Sequence, residues 1–294
     1  MDYPRILIQL DSDSHPSVFD AVVAIDSGIE HLLQYSNVEP TNTRQLVHGA
    51  MFTRGPADLK HTAIFIGGSN VSLGDAIGTE VQQSFFGPIR VSVMLDGNGS
   101  NTTAAAAVLC AARHLDLSSA NALILGGTGP VGQRVARLLL RQGGRACVAS
   151  REHERAQRAR EQIRSCMGGG HDRELSSIAT SSTEFRERIS SFNCIISCGA
   201  SGVTLLSAEM LSLATGVQVA IDLNAVPPLG IEGIEQLDKA VQRGQRFDYG
   251  AIGVGGLKMK IHRESVSALF TRNDLYLDAE EIFTIGRELE ARSS

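Results

Sequence analysis

The sequence predicts an α/β protein with two domains. Short apolar runs alternate with segments of helical periodicity, an order that is typical of parallel sheets covered by helices on both faces. The pattern restarts after a short polar joint at Ser118–Asn121, which indicates a second domain. The chain has 294 residues, of which 43% are hydrophobic and 20% charged. This length is sufficient for two ordinary domains, and this composition excludes extended disorder.

The first domain is predicted to contain three strands, at Arg5–Leu10, Thr62–Ile66 and Arg90–Leu95. Pro16 and Ser17 begin a helix after the first strand. The apolar residues on one face of that helix are Val18, Phe19, Val22 and Val23. An Ala-rich helix follows the third strand. We assign residues 1–117 to this domain and expect the helices of residues 258–294 to pack back on it.

A glycine motif opens the second domain, which we assign to residues 118–257. It follows the apolar strand Ala122–Leu125, and an amphipathic helix and a second strand come after it. The motif consists of Gly127, Thr128, Gly129, Pro130, Val131 and Gly132. In this context it predicts a Rossmann-type doubly wound parallel sheet that binds a dinucleotide. The glycines let the backbone approach a pyrophosphate, and the helix N-terminus offers it N–H groups. A Gly-rich turn without a ligand is the alternative interpretation.

The residues after that second strand indicate which nucleotide binds. An NAD site usually has Asp or Glu there, on the ribose 2′-hydroxyl, whereas this chain has Ser150 and Arg151. A hydroxyl and a guanidinium can bind a 2′-phosphate, and Arg155 lies one helical turn further on. We therefore predict NADP as the cofactor, with NAD as a weaker alternative because Glu152 is close by. The alternative interpretation is a solvated, ion-paired helix face.

Two later strand ends are predicted to line the nicotinamide side of the site, because ligands bind beyond the carboxyl ends of parallel strands. Small residues that would admit a flat ring follow the first of these strands: Cys198, Gly199 and Ala200. Asn224 follows the second strand and could hydrogen-bond the carboxamide. Capping of the loop ahead of Pro227 and Pro228 is an equal alternative for Asn224.

Polar clusters outside the nucleotide domain are the candidates for a substrate site. They cover residues 11–20, 96–103 and 253–263. A dehydrogenase with two domains is expected to hold its substrate in the cleft between them. The residues predicted to bind substrate are Asp96, Asn98, Ser100, Asn101 and Thr102.

Six blocks of the sequence resemble one enzyme family and follow its order from near the N-terminus to the last helix. They are FDAVVAID, TAIFIGG, FFGPIRVSVMLDGNGSNTTAAA, GGTGPVG, NAVPPLGI and GAIGVGGLKMKIHR. These blocks are similar to the NAD(P)-dependent methylene-tetrahydromethanopterin dehydrogenases of one-carbon metabolism. The resemblance implies a pterin-binding α/β domain beside a Rossmann domain. It also implies hydride transfer from methylene-tetrahydromethanopterin to NADP, which gives the methenyl form during the oxidation of formaldehyde-derived carbon.

The reaction implied by this resemblance removes a hydride alone, so it requires no acid–base pair. The methenyl product is a delocalised cation, which a carboxylate of Asp20 or Asp96 would stabilise. The resemblance points to Lys258 as a catalytic residue, expected on the pterin carbonyl. The chain has only four Lys beside 23 Arg. We expect Lys258 in the Gly-rich approach to the last helices, after a strand at Phe247–Ile252. A helix-surface acid and a helix-start lysine are the alternatives for Asp20 and Lys258.

A more distant resemblance is to bifunctional methylene-tetrahydrofolate dehydrogenase/cyclohydrolases. Those enzymes carry a Tyr-x-x-x-Lys pair, whereas here Glu39 stands four residues after Tyr35 and no other Tyr precedes a Lys at that spacing. We therefore expect no cyclohydrolase activity. The alternative functions are a methylene-tetrahydrofolate dehydrogenase without cyclohydrolase activity and a non-catalytic NADP-binding regulator.

Composition and charge argue against several partners. The net charge of −5 gives no basic field for nucleic acid, and no apolar stretch approaches the ~18 residues of a membrane span. The five cysteines form no Cys-x-x-Cys pair and indicate a reducing compartment. We expect a cytoplasmic homo-oligomer that binds a small pterin. No metal is expected, because His15, His61 and His262 match no zinc spacing.

Overall fold

The computed structural model describes residues 3–169 and 174–293. The predicted loop at Gly168–His171 lies partly outside these residues. The strands are β1 (Ile6–Asp11), β2 (His31–Tyr35), β3 (Thr62–Gly67), β4 (Ser92–Leu95), β5 (Asn121–Leu125), β6 (Arg145–Ser150), β7 (Leu175–Ala179), β8 (Cys194–Ser197), β9 (Val219–Asp222), β10 (Lys239–Arg243), β11 (Arg246–Tyr249) and β12 (Tyr276–Leu277). The α-helices are α1 (Val18–Asp26), α2 (Pro40–Met51), α3 (Val71–Gln83), α4 (Ser100–Ala112), α5 (Pro130–Arg141), α6 (His153–Cys166), α7 (Thr183–Arg188), α8 (Ala208–Leu213), α9 (Ala251–Ala268) and α10 (Ala279–Ser293).

The chain divides into two compact units. One unit comprises the residues up to Thr102 together with Met259–Ser294, and the other comprises Thr103–Lys258. The sequence places the first boundary at the polar joint near Ser118, whereas this division falls inside α4 and again inside α9. A change in composition can reveal a domain boundary that lies in a loop. It cannot reveal a boundary that lies inside a continuous helix.

The first unit contains a five-stranded parallel sheet in the order β12-β4-β3-β1-β2. Strands β1 and β3 pair from Ile6 with Thr62 to Asp11 with Gly67. The strand order reverses between β1 and β3, because the chain moves to one side for β2 and returns to the other for β3. In open α/β sheets, ligands bind at the carboxyl ends beside this reversal. Asp11 and Gly67 therefore mark the ligand-binding edge of the first sheet.

Three elements of the first unit are not predicted by the sequence: β2, α2 and the two-residue strand β12, which lies within the segment expected to be helical. The residues of β2 are mostly exposed, and α2 has a nearly neutral mean hydropathy, so neither carries a strong apolar pattern. The predicted helix α1 is present, but Val18, Phe19 and Val22 remain 76%, 51% and 54% exposed. Helix α1 buries Val23 and Ala24 instead. Periodicity thus identifies an apolar face but does not show whether this chain covers it.

The second unit contains a seven-stranded sheet in the order β10-β11-β9-β8-β5-β6-β7, with only β10 antiparallel to its neighbour among the described strands. Leu123 and Leu125 of β5 share a core cluster with Phe185 of α7 and Leu211 of α8. The intervening Ile124 is also fully buried, and α5 packs on β5 and β6. Helices therefore cover both faces. The predicted fold class, α/β with a doubly wound parallel sheet, is confirmed.

The Gly-rich segment before Lys258 lies inside a helix. The strand predicted at Phe247–Ile252 is present as β11, but it already ends at Tyr249. The predicted Gly-rich approach is wrong, because α9 begins at Ala251. A Cβ on Gly253 would lie 1.8 Å from the carbonyl oxygen of Asp238. Gly253 is therefore required by the close approach of two backbone segments and does not interrupt the helix. Lys258 consequently lies in the middle of α9.

Alanine substitutions at two glycines of α9 are expected to change the free energy of unfolding in opposite directions. Gly253→Ala should lower the free energy of unfolding by about 1–3 kcal/mol or more, because the added methyl group has no space. Gly256→Ala should raise it by about 0.5–1 kcal/mol, because a Cβ there meets no atom within 4 Å and alanine favours a helix interior. Denaturant unfolding of both variants measures the two values, and equal effects would contradict the packing argument.

Candidate functional site

A cavity of about 200 Å³ lies at the carboxyl ends of the central strands of the second sheet. It is located where the strand order reverses between β5 and β8. One end is lined by hydroxyl groups and guanidinium groups, and the other end by small and apolar residues. The lining residues are Leu125, Gly126, Thr128, Gly129, Ser150, Arg151, Arg155, Thr180, Cys198, Gly199, Ala200, Val203 and Leu205.

Closely packed backbone forms the floor of this cavity, and at two of its glycines, Gly126 and Gly132, there is no room for a side chain. Gly126 has a φ of +65°, and a Cβ on it would lie 2.5 Å from Cα of Gly199. A Cβ on Gly132 would lie 2.6 Å from Cα of Gly127, so these buried residues fix α5 against the turn. Gly129 is the N-cap of α5, and a Cβ there would meet no atom closer than 3.7 Å. An anion can therefore approach the start of α5 over Gly129.

The glycine motif divides into lining residues and packing residues. Thr128 and Gly129 line the cavity. Gly127 and Gly132 are buried beneath it. Pro130 occupies the first position of α5, where its missing N–H costs no hydrogen bond, and Val131 follows it. The sequence pattern alone does not separate these two roles, because both require the same residue types.

The end of β6 gives the cavity its positive charge. Ser150 is buried there, whereas Arg151 and Arg155 are exposed on the cavity wall. No carboxylate is among the described residues that line the cavity. The Oγ of Ser181 donates a hydrogen bond of 3.1 Å to the carbonyl oxygen of Arg151 and so fixes its backbone. This end of the cavity can bind a phosphate monoester as well as a pyrophosphate.

Thr180, Val203 and Leu205 line the cavity but were not predicted from the sequence. Thr180 directly follows β7, an edge strand whose serine-rich sequence LSSIA carries no apolar pattern. Val203 and Leu205 lie in the loop after β8, where no periodicity marks them. Recognition of β7 would have identified Thr180, since the neighbouring strands of a parallel sheet end at the same edge.

The residues after β8 present an uncharged surface to the cavity. Burial raises the pKa of the Cys198 thiol, and the nearby Asp222 raises it further, so the thiol is neutral at physiological pH. Three small residues line this part of the cavity and leave space for a flat ring: Cys198, Gly199 and Ala200. The thiol therefore adds no negative charge at a site that is suited to an anionic ligand.

Asn224 is engaged inside its own loop. Its side chain donates a 3.1 Å hydrogen bond to the carbonyl oxygen of Pro228 and accepts a 3.0 Å bond from the N–H of Val226. Asp222 accepts bonds from the N–H groups of Asn224 and Ile231, while burial raises the pKa of this carboxyl group. Loop capping accounts for these contacts, and Asn224 does not line the cavity.

A second polar site lies at the carboxyl edge of the first sheet. The Oδ2 atoms of Asp11 and Asp20 lie 3.4 and 3.5 Å from the position that a Cβ on Gly67 would occupy. Asp20 is half-buried in the first turn of α1, where its N–H donates to Oγ of Ser17 at 3.2 Å. The sequence analysis includes Asp11 in the polar cluster of residues 11–20 but singles out only Asp20, and it does not identify Gly67. The proximity of Asp11 to Gly67 depends on the register of β1 and β3.

The residues predicted to bind substrate after β4 mostly hold the start of α4. Asp96 is 1% exposed and accepts hydrogen bonds from the N–H groups of Asn101 and Thr102 and from the Thr102 hydroxyl. Asn101 is also buried and donates to the carbonyl oxygen of Leu95. Ser100 is buried beside them, and Asn98 is the exposed member of the group. The polar residues of this segment therefore include residues that cap α4 as well as an exposed residue that could bind a ligand.

Lys258 is half-buried in α9, one turn before His262. His262 is 1% exposed, and its ring stacks on Phe65 of β3 with 5.7 Å between the ring centroids. His262 thus packs as an aromatic ring in the first unit. Within residues 3–169 and 174–293, no group of three or more His, Cys, Asp or Glu side chains could hold a metal ion. Among the same residues, no helix combines the length and apolar character that a membrane span requires.

The fold defines the class of protein: a two-unit α/β protein with a Rossmann-type sheet. The solved structure of ligand-free 5-ketofructose reductase from a Gluconobacter species has this fold, with a TM-score of 0.53 and 13% identity over 98% of this chain and 99% of that chain. At this low identity, the similarity concerns the fold alone.

Sequence comparison then gives the family. The family model described as methylene-tetrahydromethanopterin dehydrogenase, N-terminal, matches residues 18–98. The chain is 38% identical to the bifunctional protein MdtA of Methylorubrum extorquens, over 97% of this chain and 99% of that protein. It is 32% identical to the NAD(P)-dependent methylenetetrahydromethanopterin dehydrogenase of the same organism, over 97% and 98%. The chain therefore belongs to the methylene-tetrahydromethanopterin dehydrogenase family, and the resemblance predicted from its sequence is confirmed.

Two cysteines are expected to differ in reactivity. Cys166 is exposed at the end of α6, whereas the raised pKa of Cys198 keeps its thiol protonated. Because the thiolate is the nucleophile, iodoacetamide at pH 8 should alkylate Cys166 at least ~10-fold faster than Cys198. Peptide mass spectrometry over time measures both rates, and Cys166→Ser should remove the fast phase. Equal rates at the two thiols would show that Cys198 is not protected.

Proposed function

We propose that the protein is an NAD(P)-dependent methylene-tetrahydromethanopterin dehydrogenase that acts in the oxidation of formaldehyde-derived carbon. The observation that carries this proposal is the similarity to a relative of that name over 97% of this chain. The cavity above the glycine turn, at the point where the strand order reverses between β5 and β8, supports this proposal. In the proposed reaction, the methylene carbon of the pterin loses a hydride, which the bound nicotinamide accepts. The product is a methenyl cation.

The proposed nucleotide is NADP, and NAD is a weaker alternative. Thr128, Gly129 and the start of α5 would hold the pyrophosphate, because backbone N–H groups at a helix N-terminus attract anions. Ser150, Arg151 and Arg155 would hold the 2′-phosphate through charge-assisted hydrogen bonds. These side chains fit that group, since both guanidinium groups lie on the cavity wall and no described carboxylate lines it.

Asp20 and Lys258 are the proposed catalytic residues. The Asp20 carboxylate would stabilise the methenyl cation, an effect that is large where water is excluded. Lys258 would donate a hydrogen bond to the pterin carbonyl and fix the angle of the ring. A half-buried lysine in a chain with only four lysines supports this role. Asn98 is the exposed polar residue available to the substrate from the loop after β4.

We further propose that the protein is a cytoplasmic homo-oligomer. Helix α1 exposes Val18, Phe19, Val22 and Ile25, which together form an apolar face of the kind that subunits cover in assemblies. The described cysteines are free thiols, which fits a reducing compartment.

A spectrophotometric assay tests the function. The purified full chain is mixed with methylene-tetrahydromethanopterin or methylene-tetrahydrofolate and with NADP or NAD, and the absorbance of the reduced nicotinamide is followed. The expected result is the fastest turnover with methylene-tetrahydromethanopterin and NADP. Nucleotide binding without turnover on either pterin would overturn the proposal in favour of a regulator. Faster turnover with the folate would change the assigned substrate.

Arg151→Ala should weaken NADP binding and leave NAD binding almost unchanged. A charge-assisted hydrogen bond contributes ~1.5–3 kcal/mol, which corresponds to a loss of roughly 10- to 100-fold in NADP affinity. Arg158→Ala is the matched control, because Arg158 is exposed on the following helix α6 and pairs with Glu154 at 3.6 Å. Calorimetric titration with both nucleotides measures the difference. An equal loss for NADP and NAD would remove Arg151 from the 2′-phosphate site.

Lys258→Ala should lower turnover by ~100-fold or more, the scale expected for a misplaced reactant. Lys258→Arg should also be slow, because a planar guanidinium group cannot replace a compact ammonium group without displacing the ring. The affinity for NADP should not change. Lys260→Ala provides the control, since Lys260 is exposed two residues further along α9. Near-normal turnover in Lys258→Ala would exclude Lys258 from catalysis.

A further inference from the structure

Asp11 is a buried acid at the ligand-binding edge of the first sheet. It is the last residue of β1, it is 0% exposed, and it pairs with Gly67 of β3. The strand order reverses between these two strands. A fully buried acid is uncommon unless its oxygen atoms are satisfied, and this position is the one at which an α/β sheet presents groups to a ligand.

Three hydrogen bonds hold the Asp11 carboxylate. Its Oδ1 accepts a 2.9 Å bond from the N–H of Asp13. Its Oδ2 accepts from the N–H of Ser17 at 3.0 Å and from Nε2 of Gln9 at 3.2 Å. The Oε1 of Gln9 accepts in turn from Nε2 of Gln34 on β2, at 3.0 Å. The three bonds to Asp11 all have its carboxylate oxygens as acceptors, so they fix this side chain in one orientation.

Ser17 links Asp11 to Asp20. Its backbone N–H donates to Asp11, and its Oγ accepts from the N–H of Asp20 as the N-cap of α1. The first turn of α1 is thereby fixed to the end of β1. Both carboxylates approach Gly67, where a side chain would come within about 3.5 Å of each Oδ2. The two carboxylates therefore lie close to the same point beside Gly67.

We propose that Asp11 is a positioning residue for Asp20. It holds the first turn of α1 in place, and its own charge increases the negative potential at the Asp20 carboxylate. This inference rests on the proposed function, in which Asp20 stabilises the methenyl cation. A nearby second carboxylate favours a cationic product over the neutral methylene substrate, because opposite charges attract more strongly where water is excluded.

The two contributions of Asp11 can be separated by an isosteric substitution. In Asp11→Asn, the amide oxygen can still accept from Ser17 and Gln9, but the amide nitrogen then faces the N–H of Asp13. The bond to the start of α1 is kept, whereas the bond from Asp13 and the charge are lost. A residue that only stabilises the fold would change the affinities for substrate and product equally. A residue that supplies negative potential changes the affinity for the cationic product more than that for the neutral substrate.

The experiment compares Asp11→Asn, Asp20→Asn, the double variant and Asp26→Asn in the full-length protein. Asp26→Asn is the matched control, because it removes the same charge from an exposed position at the end of α1. For each variant, the measured quantities are turnover, the affinity for the methylene substrate, the inhibition constant of the methenyl product and the affinity for NADP. We expect Asp11→Asn to lower turnover ~10-fold and to weaken methenyl binding at least ~3-fold more than methylene binding. The affinity for NADP should not change.

The double variant shows whether Asp11 acts through Asp20. In the Asp20→Asn background, Asp11→Asn should lower turnover only ~3-fold instead of ~10-fold, because its effect on the position of Asp20 is lost and only the direct effect of its charge remains. Additive effects would overturn the inference. So would equal weakening of substrate and product, or a similar loss in Asp26→Asn. A wild-type protein without turnover on methylene-tetrahydromethanopterin would overturn the proposed function, and the inference with it.

A second variant serves if Asp11→Asn does not fold. Ser17→Ala keeps the backbone bond from Ser17 to Asp11 and removes the Oγ that accepts from Asp20. It should lower turnover ~3- to 10-fold, with no further effect in the Asp20→Asn background. Wild-type turnover in Ser17→Ala would show that the connection to Asp20 is not required.

Discussion

The close approach of two loops at the carboxyl ends of β5 and β8 is the constraint on which the rest of the second unit depends. A Cβ on Gly126 would lie 2.5 Å from Cα of Gly199, so neither loop can carry a side chain where they meet. The same turn holds the start of α5, because Gly127 and Gly132 are in backbone contact. The cavity is the space that this arrangement leaves open, and it presents backbone N–H groups and a helix N-terminus to a ligand.

Both sheets place their chemistry at the point where the strand order reverses, but with opposite charge. The second sheet brings Arg151 and Arg155 to a cavity without a described carboxylate. The first sheet brings Asp11 and Asp20 together at Gly67. These two environments suit the anionic nucleotide and the substrate that becomes a cation in the proposed function.

Local motifs could be predicted from the sequence because their geometry is contained in a few consecutive residues. The glycine turn and the pair Ser150 and Arg151 are of this kind, and each lies at a strand end in the structure. Thr180 was not predicted, because it follows an edge strand without an apolar pattern. Asp96 belongs to a polar cluster that indicates binding, yet its hydrogen bonds cap α4. A polar residue before a helix fits either role until its partners are known.

The sequence by itself determined the α/β class, the Rossmann-type sheet and the family, because alternating strands and helices and a long ordered set of motifs are properties of the chain order. Only the tertiary structure decided which polar residues meet. The register of β1 and β3 places Asp11 opposite Gly67, and the bonds of Ser17 bring the first turn of α1, with Asp20, to the same place. The propensity of glycine alone predicts a break in the helix before Lys258. The structure has a continuous α9 there, in which Gly253 packs against the backbone of Asp238. Strand register and backbone packing bring together residues that are distant in the chain. A local sequence pattern carries no information about such contacts.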